Sequence, residues 1–254
     1  TIAFLILLIS TIVFITRVGS STTQKKFYYC NVFICGFATM AYFAMLSGQG
    51  WTAIAGCRQF FYARYVDWFI TMPLIILTLG LVAGQDFVTL AAVVGADMLM
   101  IVALYMGAVS VVTTVKWFWF LFAIAMFLPV VYSLARTFRE TVITRKDPEM
   151  IELYGKIAWL TIIMWSFYPI VWLFSEGFAS FSVSFEVCAY AVLDIISKAV
   201  FSFIVMSAHS SLGGAESREI VQAPRCGMTW ESSGIRTSKT WQRPSWSDLQ
   251  GRWG

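Results

Sequence analysis

Five ionisable residues lie inside long apolar stretches of this chain: Arg64, Asp67, Asp97, Asp194 and Lys198. Ionisable side chains are costly at membrane depth, so each of them indicates function. Asp194 and Lys198 are four residues apart, which in a helix makes their side chains neighbours about 6 Å apart. An isolated pair of this kind is, in most membrane proteins, a structural salt bridge. A lysine between two carboxylates can instead carry a Schiff base, because anionic groups keep a buried imine protonated.

A polar stripe in the third apolar stretch supplies the second carboxylate. Arg64, Asp67, Thr71 and Thr78 stand at positions i, i+3, i+7 and i+14. At about 100° per residue they share one face of an otherwise apolar helix, and we expect that face to point inward. Asp67 is therefore predicted to join Asp194 as a counterion, with Arg64 one turn away.

Aromatic residues accompany these charges. Trp68 follows Asp67, and Trp165, Tyr168 and Trp172 stand at i, i+3 and i+7 in the sixth stretch. Aromatic stripes in membrane helices are most often ordinary packing. Their coincidence with the lysine favours a pocket for a long polyene cofactor.

The composition defines the class of protein. The chain is 59% hydrophobic, 17% aromatic and only 13% charged, with a mean hydropathy of +0.74, which excludes a water-soluble surface. A spanning helix needs about 20 apolar residues. We predict an all-α membrane protein, a bundle of seven transmembrane helices within residues 1–208, at 1 to 18, 27 to 47, 58 to 83, 87 to 109, 113 to 138, 149 to 175 and 181 to 208.

The basic residues of the joints predict the orientation. Arg17, Lys25 and Lys26 follow the first stretch, and four more bases, Arg136, Arg139, Arg145 and Lys146, lie near the joint between the fifth and sixth. Such loops are cytoplasmic. We expect an integral membrane protein of the plasma membrane, with its N-terminus outside and its C-terminus cytoplasmic. Arg58 and Lys116 would then lie in outer loops.

Beyond position 208 the composition changes to Ser, Gly, Arg, Gln and Trp. The sequence from 209 to 254 has no helical period and predicts a disordered cytoplasmic tail. The five cysteines show no metal spacing, so no metal site is expected. The net charge of +4 lies mostly in the cytoplasmic loops and tail, which fits membrane topology better than nucleic-acid binding.

Four segments resemble those of microbial rhodopsins, and of bacteriorhodopsin and its fungal and algal relatives in particular. The segment Ala63-Arg-Tyr-Val-Asp-Trp-Phe-Ile-Thr-Met-Pro-Leu74 is similar to their third helix. Asp97-Met-Leu-Met100 is similar to their fourth, and Trp165-Ser-Phe-Tyr-Pro-Ile-Val-Trp172 with Ser175-Glu-Gly177 to their sixth. Leu193-Asp-Ile-Ile-Ser-Lys198 resembles the lysine motif of their seventh.

The resemblance implies all-trans retinal, bound covalently to Lys198 as a protonated Schiff base. Asp67 would be the counterion and proton acceptor, and Asp194 the second counterion. It further implies a gate and hydrogen-bond network of Arg64, Thr71, Tyr42 and Tyr168, with Thr71 bonded to Asp67, and a proton-release pair of Glu176 and Glu186. The implied retinal pocket consists of Trp68, Met72, Ile75, Asp97, Met100, Trp165, Pro169, Trp172 and Ser197.

Three positions depart from the bacteriorhodopsin pattern. Thr78 stands where outward pumps commonly have a carboxylic proton donor, and a threonine cannot donate a proton at neutral pH. We therefore expect slow reprotonation. Met72 replaces a threonine that usually bonds the acid of the fourth helix, so Asp97 lacks that partner. His209 lies at the membrane edge and cannot pair with Asp67.

The first functional prediction is a light-driven outward proton pump, which is not an enzyme. Thr78 and the tail also suit a photosensory rhodopsin that signals to a transducer. A light-gated cation channel is the third reading, although the second stretch lacks a row of glutamates between Asn31 and Ser47. The expected partners are the lipid bilayer, protons or other ions, and further copies in a homo-oligomer.

Overall fold

Seven helices form the fold of this computed structural model, which describes residues 1–18 and 25–208. The helices are α1 (Ile2–Val18), α2 (Lys25–Leu46), α3 (Tyr62–Ala83), α4 (Phe87–Val109), α5 (Thr113–Thr144), α6 (Pro148–Gly177) and α7 (Val183–Ser207). The last six are long and apolar enough to cross a membrane, and α1 is a shorter apolar helix. The expectations for 209–254, including that for His209, lie outside the described residues.

The distribution of side chains is that of a membrane protein. Large apolar residues of α5 face outward, with Phe118, Leu121 and Leu128 more than 60% exposed. Charged residues of α3 and α7, by contrast, are buried in the middle of the bundle. An apolar exterior around a polar interior is stable in lipid and not in water. The prediction of an integral seven-helix membrane protein is therefore confirmed.

The structure corrects two of the predicted boundaries. The third helix begins at Tyr62 and not at residue 58, because Arg58–Phe60 form a strand, β2, that pairs antiparallel with β1 (Thr52–Ile54). Gly56 makes the connecting turn possible, since its φ of +77° is one that residues with a side chain rarely adopt. The fifth helix runs to Thr144, past the predicted end at 138.

Three π-helical segments interrupt the α-helices: Ser133–Thr137 in α5, Leu173–Gly177 in α6 and Ile195–Val200 in α7. The second contains Glu176 and the third contains Lys198. π-Helical turns are rare in proteins. Where they do occur, they often form part of a functional site. These segments could not be predicted from the sequence, because the apolar pattern continues on either side of each of them.

Candidate functional site around Lys198

The centre of the bundle holds a lysine between two carboxylates. The Lys198 ammonium donates a hydrogen bond to Asp194 Oδ1 at 2.8 Å and another to Asp67 Oδ2. Each of the three side chains is only 1% exposed. Asp67 comes from α3 and the other two from α7, so the inward stripe and the i, i+4 pair meet as the sequence predicted.

The two carboxylates differ in their other partners. Asp194 also accepts bonds from Tyr42 (2.7 Å), Tyr168 (2.8 Å) and the Trp68 indole (3.3 Å). Asp67 Oδ1, in contrast, has no hydrogen-bond partner among the described residues. Asp194 thus accepts four hydrogen bonds from side chains, whereas Asp67 has an oxygen that is free to accept a further one.

The hydroxyl groups near the lysine mostly bond to their own helices. Thr71 donates to Asp67, as expected, and the accepting atom is the backbone carbonyl oxygen of Asp67 at 2.8 Å. Thr78 donates to the carbonyl of Leu74 at 2.8 Å. This i to i−4 bond is the usual one for a threonine inside a helix. Ser197 instead lies 2.9 Å from the Tyr168 hydroxyl.

A second buried cluster lies at the hairpin end of the bundle. The Arg64 guanidinium binds Glu186 at 2.8 Å and lies 4.2 Å from the centre of the Tyr190 ring. The Tyr65 hydroxyl donates to Glu176 Oε1 at 3.1 Å. The structure therefore brings Arg64 to the predicted release residues Glu176 and Glu186.

Sequence reasoning missed three members of this cluster. It treated Arg58 only as a loop charge, yet Arg58 binds Glu186 at 2.7 Å. Tyr65 adjoins Arg64 but lies off the i, i+3, i+7 stripe, and Tyr190 stands four residues before Asp194. The spacing of Tyr190 from Asp194 was a usable signal, since residues four apart share a helix face.

An apolar cavity lies between α3, α4, α5 and α6. Its lining includes five residues of the predicted retinal pocket, which are Trp68, Met72, Met100, Trp165 and Pro169, together with Tyr168 of the predicted hydrogen-bond network. It also includes five that the sequence did not single out, which are Ile101, Leu104, Ala123, Ile124 and Phe127. Four predicted members, Ile75, Asp97, Trp172 and Ser197, do not line it.

Three of these four residues have other neighbours in the structure, and their place in the retinal pocket stays a prediction. Trp172 stacks on Phe120, with ring centres 4.9 Å apart and planes 10° apart. Ile75 is fully buried in the apolar core. Asp97 is fully buried, and neither of its carboxylate oxygens has a partner among the described residues. Met72 cannot donate a hydrogen bond to Asp97, and no other described residue donates one in its place.

The cavity fits the cofactor that the resemblance implies. Its walls are almost wholly apolar, as those of small-molecule sites usually are. At one end Trp68 and Tyr168 line the cavity and also bond Asp194, the partner of Lys198. A long apolar molecule attached to Lys198 would be held there by aromatic rings.

Comparison with known proteins identifies the family. The model of the bacteriorhodopsin-like protein family matches residues 1–212. The chain belongs to this family. The prediction of a microbial rhodopsin is thereby confirmed.

Individual members of the bacteriorhodopsin-like family agree in sequence and fold. Archaerhodopsin-3 of Halorubrum sodomense is 34% identical over 225 residues, which cover 86% of this chain and 86% of that protein. The thermophilic rhodopsin from Rubrobacter xylanophilus superposes with a TM-score of 0.82 at 31% identity, covering 85% of this chain and 96% of that one. The light-driven proton pump Coccomyxa subellipsoidea rhodopsin gives a TM-score of 0.80 at 30% identity, over 82% and 94%.

Proposed function

We propose that this protein is a light-driven outward proton pump with retinal bound to Lys198 as a protonated Schiff base. The observation that carries the proposal is the burial of Lys198 between Asp67 and Asp194. The similarity to the Coccomyxa protein, which is described as a light-driven proton pump, supports it. Bound all-trans retinal would supply light absorption and a change of shape that turns the Lys198 nitrogen away from its resting partners.

The two carboxylates would then act differently. Asp67 accepts the proton, because it has an oxygen without a partner. Asp194 stays ionised, because Tyr42, Tyr168 and Trp68 donate to it. Charge-assisted bonds of this kind are about twice as strong as neutral ones. One residue thus moves the proton while the other keeps the site charged.

The route outward follows from the second cluster. Protonation of Asp67 removes one anion from the buried cluster around Lys198. Arg64 precedes Asp67 by three residues on α3, which places both on one helix face, and Arg64 binds Glu186 directly. Electrostatic coupling in a low-dielectric interior is strong. Loss of the Asp67 charge therefore favours release of a proton from the Glu176 and Glu186 region. The distribution of basic residues supports an orientation in which this hairpin end lies outside the cell.

The remaining assignments belong to the same proposal. The seven-helix domain spans residues 1–208, and 209–254 is a cytoplasmic tail. The protein lies in the plasma membrane with its N-terminus outside, and it forms homo-oligomers there. Its partners are lipid and protons, and it catalyses no chemical conversion of a substrate.

Return of a proton to Lys198 should be slow, because Thr78 is fully buried and is no acid. In one stage of the cycle the Lys198 nitrogen lacks its proton. Replacing Thr78 with aspartate should hasten decay of that stage by about a hundredfold, the lower end of the usual range for a placed proton donor. Flash spectroscopy of the purified pigment measures this decay. Thr78→Asn is the matched control, since it is polar without being acidic. Equal decay in the Asp and Asn variants would show that proton supply does not limit the cycle.

The function is tested by illuminating cells that contain the retinal-reconstituted protein in unbuffered medium. We expect acidification of the medium that a protonophore abolishes and that the Lys198→Ala variant lacks. A pigment with a complete photocycle and no acidification would instead favour the sensor, for which Thr78 is the supporting observation. The channel has less support, because α2 carries no carboxylate.

A further inference from the structure

Glu186 is bound by two guanidinium groups. Arg58 Nη2 lies 2.7 Å from its Oε2, and Arg64 Nη1 lies 2.8 Å from its Oε1. Each carboxylate oxygen therefore has its own cation. Arg58 also donates to the carbonyl of Phe181 at 2.9 Å, so it ties strand β2 to the connection between α6 and α7.

Glu176 has no such partner, although it is only 3% exposed. Its Oε1 accepts a bond from the neutral Tyr65 hydroxyl, and its Oε2 has no partner among the described residues. The Lys116 ammonium lies nearby but donates to the backbone carbonyl of Glu176, at 2.8 Å, and not to its carboxylate. The two glutamates are thus in different electrostatic surroundings.

The buried charges balance without Glu176. The bonded cations are Lys198, Arg64 and Arg58, and the bonded anions are Asp67, Asp194 and Glu186. Tyr65 and Tyr190 also face the cluster and are neutral. Lys116 differs from Arg58 because its ammonium bonds a backbone carbonyl and no carboxylate of the cluster. An ionised Glu176 would therefore add an unpaired buried charge, which is costly.

We propose that Arg58 is a positioning residue that holds Glu186 as a permanent anion, so that the releasable proton of the dark state resides on Glu176 alone. This inference rests on the proposed pump function, and it replaces the shared pair of glutamates with a single donor. When Asp67 takes up a proton, the buried clusters lose one negative charge. The Glu176 O–H bond then breaks, its electron pair remains on the carboxylate, the proton passes to water and the balance is restored.

The dark-state assignment is tested by infrared titration of the retinal-bound pigment without illumination. A protonated carboxyl has a C=O stretching band that disappears as the group ionises at rising pH. We expect such a band in the unmodified protein, its loss in Glu176→Gln and its retention in Glu186→Gln. Loss in Glu186→Gln with retention in Glu176→Gln, or loss in both, would overturn the assignment, as would absence of the band from the unmodified protein.

The role of Arg58 is tested by flash photolysis with a pH-sensitive dye in the medium. Arg58→Gln should delay proton release at least about tenfold relative to deprotonation of Lys198, since one of two charge-assisted bonds to Glu186 is lost. Arg58→Lys should restore most of the rate. The control is Lys156→Gln, which removes one positive charge from an exposed pair with Glu152 and should leave release unchanged.

Two outcomes would overturn this role: release in Arg58→Gln with unaltered timing and an unaltered carboxyl band, or a delay of equal size in Lys156→Gln. Failure of the pump proposal would look different. The medium would not acidify under steady light, while the dark titration would still assign the band to Glu176.

Discussion

The Lys198→Ala variant should form no visible pigment when retinal is added. An alanine has no amine to form the imine. Lys198 lies between two carboxylates, and one of them, Asp194, is bonded by cavity-lining aromatic residues. We expect loss of at least about nine-tenths of the visible absorption band, because noncovalent retinal lacks the protonated nitrogen that its charged neighbours stabilise. Absorption spectra of purified protein after incubation with all-trans retinal measure this.

The matched control is Lys156→Ala. Lys156 is 62% exposed and pairs with Glu152 at the surface of α6, so this variant should form the pigment in full. A normal visible absorption band in the Lys198→Ala variant would show that retinal is not attached covalently to Lys198. Helix content measured by circular dichroism separates loss of the linkage from loss of the fold.

The Asp67→Asn variant should absorb at longer wavelength and should no longer transfer a proton outward. The Asp67 carboxylate contacts the Lys198 nitrogen, so it stabilises a positive charge there in the ground state. Light moves the positive charge away from the nitrogen, so the Asp67 carboxylate stabilises the ground state more than the excited state. Neutralising Asp67 therefore lowers the energy difference between the two states. The amide also cannot accept the proton, so light-driven acidification should fall at least about a hundredfold, within the range of a lost acid–base group.

Asp86→Asn is the control for this change. Asp86 caps α4 at the surface, accepts a bond from the Thr89 amide at 2.8 Å and lies outside the membrane-spanning segments. Its conversion to asparagine keeps a good helix cap and should alter neither the spectrum nor the transport. If Asp67→Asn kept both its absorption maximum and its acidification, Asp67 would not be the counterion.

The central site could be predicted from sequence because helical spacing determines it. Asp194 and Lys198 are one turn apart, and the stripe that contains Asp67 has a single inward face. Charged residues in an apolar helix have few alternatives to meeting one another. The atom of Asp67 that accepts the Thr71 hydrogen bond could not be predicted. A threonine in a helix can donate its hydroxyl to a backbone carbonyl of the preceding turn, and Thr71 does so.

The contacts of Arg58 and the far wall of the cavity lay beyond sequence reasoning. Arg58 and Glu186 are 128 positions apart, and a three-residue strand pairing places the arginine. The cavity wall from α4 and α5 consists of ordinary apolar residues such as Leu104 and Phe127. Nothing in their type distinguishes them from residues that face lipid, since both surroundings are apolar.

The proposed pump function is tested most directly by the photocurrent of the retinal-bound protein. It is measured in a voltage-clamped membrane with identical solutions on both sides. We predict an outward current at zero voltage that keeps its sign across the equilibrium potentials of the permeant ions and is absent in Asp67→Asn. A current that vanishes at zero voltage and reverses at an ion's equilibrium potential would identify a channel and contradict the pump. A complete photocycle without any current would also contradict it and would direct attention to signalling.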